Sequence, residues 1–197
     1  TGKICTLAYG LFAIDYDTKA GKKRALYTQF ENSDARRMIP SWDEPAYKAT
    51  FEMVARIPSA QMAVSNMPIA KHVDLDDGRI AVRFAQTPKM STYLLFLALG
   101  DFERATAKVG GTEVGVVTQK GSVSQAAFAL ESSQAILREC NAYFDTPYPL
   151  PKLDNIASPG SSQFFGAMEA CGAIYTFERG LLLDPSISTR SDKQRVF

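Results

Sequence analysis

Strand-length runs of alternating apolar and polar residues, each ended by turn-forming residues, fill the first 119 positions of the chain. The segment from Leu7 to Glu31 alternates on both sides of a Lys-Ala-Gly-Lys sequence, which is typical of a β-hairpin. Further runs, FEMVARIP, IAVRFAQT and YLLFLALG, are separated by residues that favour turns: Pro58, Pro68, Asp77, Gly78 and Pro88. Short strands at this spacing predict an antiparallel sheet or sandwich, and VDLDDGRIAV predicts another hairpin turn.

The periodicity changes near Lys120-Gly121 from alternation to steps of three and four residues. One largely apolar face repeats at this helical spacing: Val123, Ala127, Leu130, Gln134, Leu137, Asn141 and Phe144. The helix should end before Thr146-Pro147, because the residue preceding proline disfavours helical geometry. We therefore predict a mostly β, α+β chain with a β-sheet domain over residues 1–119 and a second domain over residues 120–197.

The last part of the chain combines extended, flexible and helical signals. The prolines of TPYPLPKLDN predict an extended connection, and SPGSSQFFG predicts a flexible loop. Ser191 and Gln194 have the spacing of a capping box, so a helix should begin there. Because the chain stops a turn later at Phe197, we expect it to be an internal piece of a longer protein.

Composition excludes several classes of function. The chain is 46% hydrophobic and 22% charged with a formal net charge of +1, which describes an ordinary folded domain and argues against nucleic-acid binding. The longest apolar run, Tyr93 to Leu99, is too short to span a bilayer, so we predict no transmembrane segment in this chain. Its single histidine and three scattered cysteines predict no metal site. Nothing in the sequence indicates a cellular location.

The stretch TQFENSDARRMIPSWDEPAYKATF interleaves charges with apolar residues. Such a pattern favours partly buried ion pairs that hold a loop in place. The residues for which we expect this structural role are Asp34, Arg36, Arg37, Asp43 and Glu44.

The stretch GAMEACGAIYTFERG places one acid, Glu169, among small and apolar residues. Two interpretations are open from the residues alone. Glu169 is either a solvated acid at the end of a strand or an acid recessed in a pocket that binds a cationic group.

Five segments in order resemble the aminopeptidase N family of zinc metallopeptidases: TQFENSDARRMIPSWDEPAYKATF, SNMP, TPKMSTYLLFLALGDFE, YFDTPYPLPKLDNIASP and GAMEACGAIYTFE. The resemblance implies that residues 1–119 are the later part of an antiparallel, sandwich-like N-terminal domain. Residues 120–197 would then be the first helix and strands of a thermolysin-like catalytic domain. It also implies that zinc binds the full-length protein at a His-Glu-x-x-His helix beyond Phe197, and that this chain binds none.

The resemblance also assigns substrate-binding residues. Glu169 would bind the free α-ammonium of a peptide, Glu31 would be a second ligand for that amine, and Gln29 would line the first side-chain pocket. Backbone groups of Gly166 and Ala167, which precede Met168 in the same motif, would bind the substrate backbone. The sequence departs from the family pattern after Glu169, where Ala170 replaces an asparagine and Cys171 replaces an aromatic residue.

The predicted function is therefore that of a fragment of a zinc aminopeptidase acting on peptides with a free N-terminus. The isolated chain should be inactive because the zinc site is expected elsewhere. The alternative is a non-catalytic family member that serves as a binding or scaffold module. An incomplete β-domain would leave apolar surface exposed, so self-association of the fragment is also expected.

Overall fold

The computed structural model describes residues 4–161 and 166–196; residues 162–165 of the predicted SPGSSQFFG loop lie outside the described residues. The chain forms two compact units. The first contains the chain as far as Asp101 together with the loop Glu169–Ala173, and the second contains Phe102–Met168 and the chain from Ile174 onward. The domain division after residue 119 stays a prediction.

The first unit consists of short antiparallel strands. The predicted hairpin is confirmed, with β1 and β2 joined at a turn whose Gly21 has φ +107°, a backbone conformation that favours glycine. The strands of this unit are β1 (Gly10–Thr18), β2 (Gly21–Gln29), β3 (Lys48–Ala49), β4 (Val54–Pro58), β5 (Met62–Ser65), β6 (Ile69–Asp74), β7 (Arg79–Phe84), β8 (Met90–Ser91) and β9 (Leu97–Gly100).

These strands make a four-stranded sheet in the order β1-β2-β9-β5, a three-stranded sheet in the order β4-β7-β6, and the pair β3-β8. Apolar residues from both larger sheets form one core cluster, which includes Ile57 and Phe84 from the three-stranded sheet and Leu97 from the four-stranded sheet. The alternating sequence pattern produces this arrangement because every second side chain of a strand points to the same face. The predicted sandwich-like architecture is confirmed.

The second unit is built around one five-stranded sheet in the order β10-β11-β12-β14-β13. Strands β11 and β12 are parallel and are connected through the long helix α1, as a parallel crossover requires. The elements of this part of the chain are β10 (Phe102–Val109), β11 (Thr112–Gln119), α1 (Ala127–Tyr143), β12 (Lys152–Ser158), β13 (Ala167–Met168), β14 (Ala173–Phe177) and α2 (Arg190–Val196).

Helix α1 confirms the helix predicted from the change in periodicity. A 3-10 turn over Val123–Ala126 precedes it, and the helix ends three residues before Thr146. Ala129 and Leu137 are buried against the sheet, whereas Ala127, predicted for the apolar face, is exposed. The buried residues of the helix are Ala129, Ser132 and Leu137, so Leu137 is the one member of the predicted face that is fully buried.

The predicted capping box at the last helix is wrong in its register. Helix α2 starts at Arg190, and the residues that exchange capping hydrogen bonds are Thr189 and Asp192. The Asp192 N–H donates to Thr189 Oγ1 over 3.2 Å, and the Thr189 N–H donates to an Asp192 carboxylate oxygen over 2.9 Å. The negative charge of Asp192 in the first turn also favours the helix N-terminus.

A buried group of charges lies within the sheet of the second unit. Asp154 is 1% exposed and pairs with Arg104 at 2.7 Å and with Lys152 at 2.8 Å, while Arg104 also pairs with Glu113 at 2.6 Å. Gly115 makes room for this network, because a Cβ atom there would overlap Asp154 Oδ1 and lie 2.7 Å from Arg104 Nε. The glycine is required here by close packing.

Candidate functional site

The end of β2 carries the first two predicted site residues. Strand β2 pairs with β9, and the Leu97 N–H also donates to Thr28 Oγ1 over 2.8 Å. Gln29 is 7% exposed, and its Oε1 accepts no hydrogen bond from any described residue. Phe30 is buried, and Glu31 beyond it is exposed. The strand therefore delivers one buried amide and one exposed carboxylate to the same end of the sheet.

The loop Glu169–Ala173, which we call the Glu169 loop, carries the second carboxylate. Ala170 is 3% exposed, and its carbonyl oxygen accepts a hydrogen bond from the Ala173 N–H over 3.0 Å, closing a tight turn. Met168 before the loop is also buried, so Glu169 between these two buried residues faces outward and is exposed. The structure thus shows Glu169 exposed, and its role in binding a cationic group stays a prediction.

A hydrophobic cluster relates Glu31 to Glu169 within the first unit. Phe30, next to Glu31, is one of its buried members, and the half-buried Cys171, two residues after Glu169, packs against it. Burial raises the pKa of the Cys171 thiol, and the negative charge of Glu169 raises it further. Glu31 and Glu169 thus lie within two residues of side chains that share one apolar cluster. Neither forms an ion pair with another residue of the described ranges 4–161 and 166–196.

Gly166, Ala167 and Met168 belong to the second unit. Ala167 and Met168 form β13 and pair with Thr176 and Tyr175 of β14. Gly166 is exposed, and a Cβ atom added there would meet no atom of the described residues within 4 Å. Packing among the described residues therefore does not require glycine at position 166.

The charged loop after β2 is held by a buried carboxylate, as the interleaved sequence pattern predicts. Asp43 is 2% exposed; it accepts hydrogen bonds from the Arg36 N–H over 2.9 Å and from the hydroxyl of Thr92. Arg37 pairs with Asp34 at 2.5 Å. Glu44 is the exception, since it is exposed and pairs with no cation in the part of the chain that the structure describes.

A cavity of about 650 Å³ lies beside this loop. It is lined by Trp42, which is 81% exposed, and by Tyr47, Lys48 and Lys89. None of the predicted substrate-binding residues lines it.

The described residues contain no group of three or more His, Cys, Asp or Glu side chains that could hold a metal ion. His72 lies on the exposed strand β6, with its Nε2 atom 3.6 Å from Asp74. The donor set of the described chain therefore does not fit a zinc centre. No helix in the ranges 4–161 and 166–196 has the length and apolar character needed to cross a membrane.

Asn66 is the residue near this site that sequence reasoning missed. It lies directly after β5, is 1% exposed, and hydrogen-bonds the Glu169 loop. The available signal was the SNMP segment, which contributed to the family resemblance but was given no role.

Comparison with known proteins agrees with this arrangement. Residues 1–94 match the Peptidase M1 N-terminal domain, and residues 128–197 match the Peptidase family M1 domain. Both matches, in this order along the chain, are to domains of one peptidase family. More specifically, the chain belongs to the aminopeptidase N family, peptidase family M1.

Similar proteins come from bacteria, plants and animals. The chain is 41% identical over 198 residues to aminopeptidase N of Acetobacter pasteurianus, covering 100% of this chain and 56% of that protein. It is 43% identical over 190 residues to aminopeptidase M1-A of Oryza sativa subsp. japonica, covering 95% of this chain and 21% of that protein. It is 38% identical over 195 residues to human endoplasmic reticulum aminopeptidase 1, covering 98% and 20%. The chain thus spans about half of the Acetobacter protein and about a fifth of the other two.

Proposed function

We propose that the full-length protein is a zinc-dependent aminopeptidase that removes N-terminal residues from peptides, and that Glu31 and Glu169 bind the substrate's free α-ammonium. The observation that carries this proposal is that both exposed acids lie in a single compact unit, within two residues of Phe30 or Cys171, which share one hydrophobic cluster. We call Glu31 and Glu169 the amine-binding pair. Neither is neutralised by a cation of the described chain, so both remain available to a cationic ligand.

Two carboxylates suit an ammonium group because it carries three N–H donors and a positive charge. A peptide whose α-ammonium is held by Glu31 and Glu169 has its first peptide bond at a fixed distance from these carboxylates, because only one residue lies between the ammonium and that bond. Cleavage at that distance releases one residue at a time. An acylated N-terminus has neither the charge nor the three donors, so blocked peptides would bind poorly.

The remaining predicted residues complete the proposal around the first substrate residue. Gln29 presents a buried oxygen that accepts no hydrogen bond from the described residues, which suits a pocket that receives a donor from a ligand or from water. The proposal assigns the backbone of Gly166 and Ala167 to the substrate backbone. The absence of any described atom within 4 Å of a Cβ at Gly166 supports this assignment.

Zinc, when bound to the full-length protein, would polarise the scissile carbonyl and lower the pKa of a bound water. The described residues include no ligand set for it. In this proposal the residues of the present chain hold and orient the substrate amine.

The test uses the full-length protein and aminoacyl 4-nitroanilides with a free amine. Glu169→Gln and Glu31→Gln should each lower kcat/KM by about 10- to 100-fold, because each replaces a charged hydrogen bond by a neutral one. Glu131→Gln on the exposed side of α1 is the matched control and should leave kcat/KM unchanged. Equal turnover of Nα-acetylated and free substrates, or unchanged kcat/KM in Glu169→Gln, would contradict the amine-binding role.

A chelator tests whether turnover depends on zinc, independently of whether Glu31 and Glu169 bind the substrate amine. Full loss of turnover with 1,10-phenanthroline and recovery with added zinc are expected. Turnover that resists the chelator would remove zinc from the proposal. A full-length protein that binds peptides but cleaves none would instead favour the binding or scaffold alternative.

A further inference from the structure

The carboxamide of Asn66 connects two separate segments of the first unit. Its Nδ2 donates to Leu94 O and to Cys171 O, each over 2.8 Å, and its Oδ1 accepts the Phe96 N–H over 2.8 Å. Asn66 is 1% exposed. Both N–H groups and the oxygen of the buried amide are therefore satisfied by backbone groups, which leaves the side chain one orientation.

The bond to Cys171 fixes the Glu169 loop. Cys171 follows Glu169 by two residues, and the intervening Ala170 is buried and closes the turn to Ala173. Ala170 has no side-chain amide that could hold the loop itself. Among the hydrogen bonds of the described chain, the one donated by the Asn66 side-chain amide connects the Cys171 carbonyl to another segment.

The other hydrogen bonds of Asn66 connect it, through neighbouring residues, to the end of β2 that precedes Glu31. Phe96 immediately precedes Leu97, whose N–H donates to Thr28 Oγ1 over 2.8 Å. Thr28 lies on β2 three residues before Glu31. The side-chain amide of Asn66 thus hydrogen-bonds the Glu169 loop and also the Leu94–Phe96 segment. The residue after that segment, Leu97, is hydrogen-bonded to the end of β2.

We propose that Asn66 is the positioning residue of the amine-binding pair: through the Cys171 carbonyl and the Leu94–Phe96 backbone it sets the placement of Glu169 relative to Glu31. This inference rests on the proposed function for its consequence in catalysis. Asn66 itself does not touch the substrate, and its effect on the substrate runs through the two carboxylates.

The test compares Asn66→Asp and Asn66→Ser with Asn155→Ala in the full-length protein. Asn66→Asp keeps the shape but loses both N–H donors, and Asn66→Ser is the smaller variant to use if the aspartate prevents folding. Asn155 is the matched control because it is also a buried asparagine, with a side-chain hydrogen bond of 3.1 Å to Ser133 Oγ in the second unit. All kinetics are measured well below the unfolding midpoint of each variant.

The first readout does not require activity. Cys171 is half-buried beside the Asn66 bond, so its alkylation by iodoacetamide, followed by peptide mass spectrometry, reports the placement of the loop. The rate at Cys171 should rise at least about 10-fold in the Asn66 variants and stay constant in Asn155→Ala. The exposed Cys140 should react at one rate throughout. Unchanged alkylation of Cys171 in folded Asn66 variants would overturn the positioning role whatever the activity.

The second readout is a double-mutant cycle on free-amine substrates. Asn66→Asp should lower kcat/KM at least about 10-fold in the wild-type background and less than about 3-fold in the Glu169→Gln background, because the two changes act on one contact. If the losses of kcat/KM from Asn66→Asp and Glu169→Gln are additive, Asn66 does not act on the substrate through Glu169. If the wild-type protein shows no free-amine preference while Cys171 alkylation responds as expected, the proposed function fails and the loop-holding role of Asn66 stands.

Discussion

The side-chain amide of Asn66 lies 2.8 Å from the carbonyl oxygen of Cys171, and this hydrogen bond joins two residues that are 105 positions apart. Through it, a five-residue loop late in the sequence is held within the compact unit formed by the early strands. The same loop carries Glu169. The position of the amine-binding pair is therefore a property of the packed unit, and several substitutions should separate packing from substrate binding.

Gly166→Ala should affect substrate use and leave stability intact. The added methyl group meets no atom within 4 Å in the ranges 4–161 and 166–196, so the free energy of unfolding should change by less than about 0.5 kcal/mol. If the substrate backbone passes over this residue, kcat/KM of the full-length protein should fall at least about 10-fold. Urea unfolding and aminoacyl anilide kinetics measure the two effects. Unchanged kinetics would remove Gly166 from the substrate contact.

The comparison variant for Gly166→Ala is Gly172→Ala in the Glu169 loop. Gly172 has φ +73°, where a side chain costs about 1–2 kcal/mol. This variant should therefore lose stability, in contrast to Gly166→Ala. Equal stabilities of the two variants would contradict the backbone conformation described for the loop.

Gly115→Ala should strongly destabilise the second unit. Its methyl group would overlap the carboxylate of Asp154 and crowd the guanidinium of Arg104, displacing buried charges from their partners. Breaking such a network costs about 3–5 kcal/mol. Gly111→Ala, in the turn between β10 and β11, is the control because its added Cβ meets nothing within 4 Å. Calorimetric melting curves should separate the two variants widely, and similar midpoints would refute the packing argument.

Because of Glu178, the free energy of unfolding should decrease as the pH rises above 4.5, the ordinary pKa of a glutamate carboxyl. Burial raises the pKa of the Glu178 carboxyl from 4.5, partly offset by Arg179 and by the hydrogen bond from Gln119 Nε2, 2.8 Å away. The folded state therefore keeps the proton longer than the unfolded chain. The stabilisation is fully present below about pH 4.5 and is lost as pH rises through the folded-state pKa.

Glu178→Gln tests this dependence because it removes the titration and keeps an acceptor for Gln119. The stability of the variant relative to the wild type should increase between pH 4 and pH 7, as measured by thermal unfolding at several pH values. Glu139→Gln on the exposed side of α1 is the control and should show no such trend. A relative stability that decreases over this range would reverse the sign of the proposed shift.

Thr189→Ala should weaken the start of α2, whereas Ser191→Ala should not. Thr189 exchanges hydrogen bonds with Asp192, and loss of an N-cap side chain costs about 1 kcal/mol. Amide hydrogen exchange at Asp192 should accelerate in Thr189→Ala and remain unchanged in Ser191→Ala. The opposite ranking would restore the cap at Ser191 that the sequence spacing predicts.

Local patterns alone predicted a large part of this fold. Alternation around Gly21 predicted the β1–β2 hairpin, and helical spacing predicted α1, because both depend on neighbours a few residues away. The motif resemblance further identified the family and proposed Glu31 and Glu169 as partners. The start of α2 was harder to predict: Thr189 and Ser191 are both good N-caps, and in the structure it is Thr189 that exchanges capping hydrogen bonds with Asp192.

The amino-acid sequence by itself thus determined the strand and helix elements, their order and the family to which they belong. Only the tertiary structure decided that Phe30 and Cys171 share one cluster, that Asn66 bonds the Glu169 loop, and that Gly115 is enclosed by buried charges. The physical reason is that periodicity and turn chemistry act over a few residues. Contacts across tens of residues form only when the apolar faces of those elements pack together and bring distant polar groups within hydrogen-bond reach.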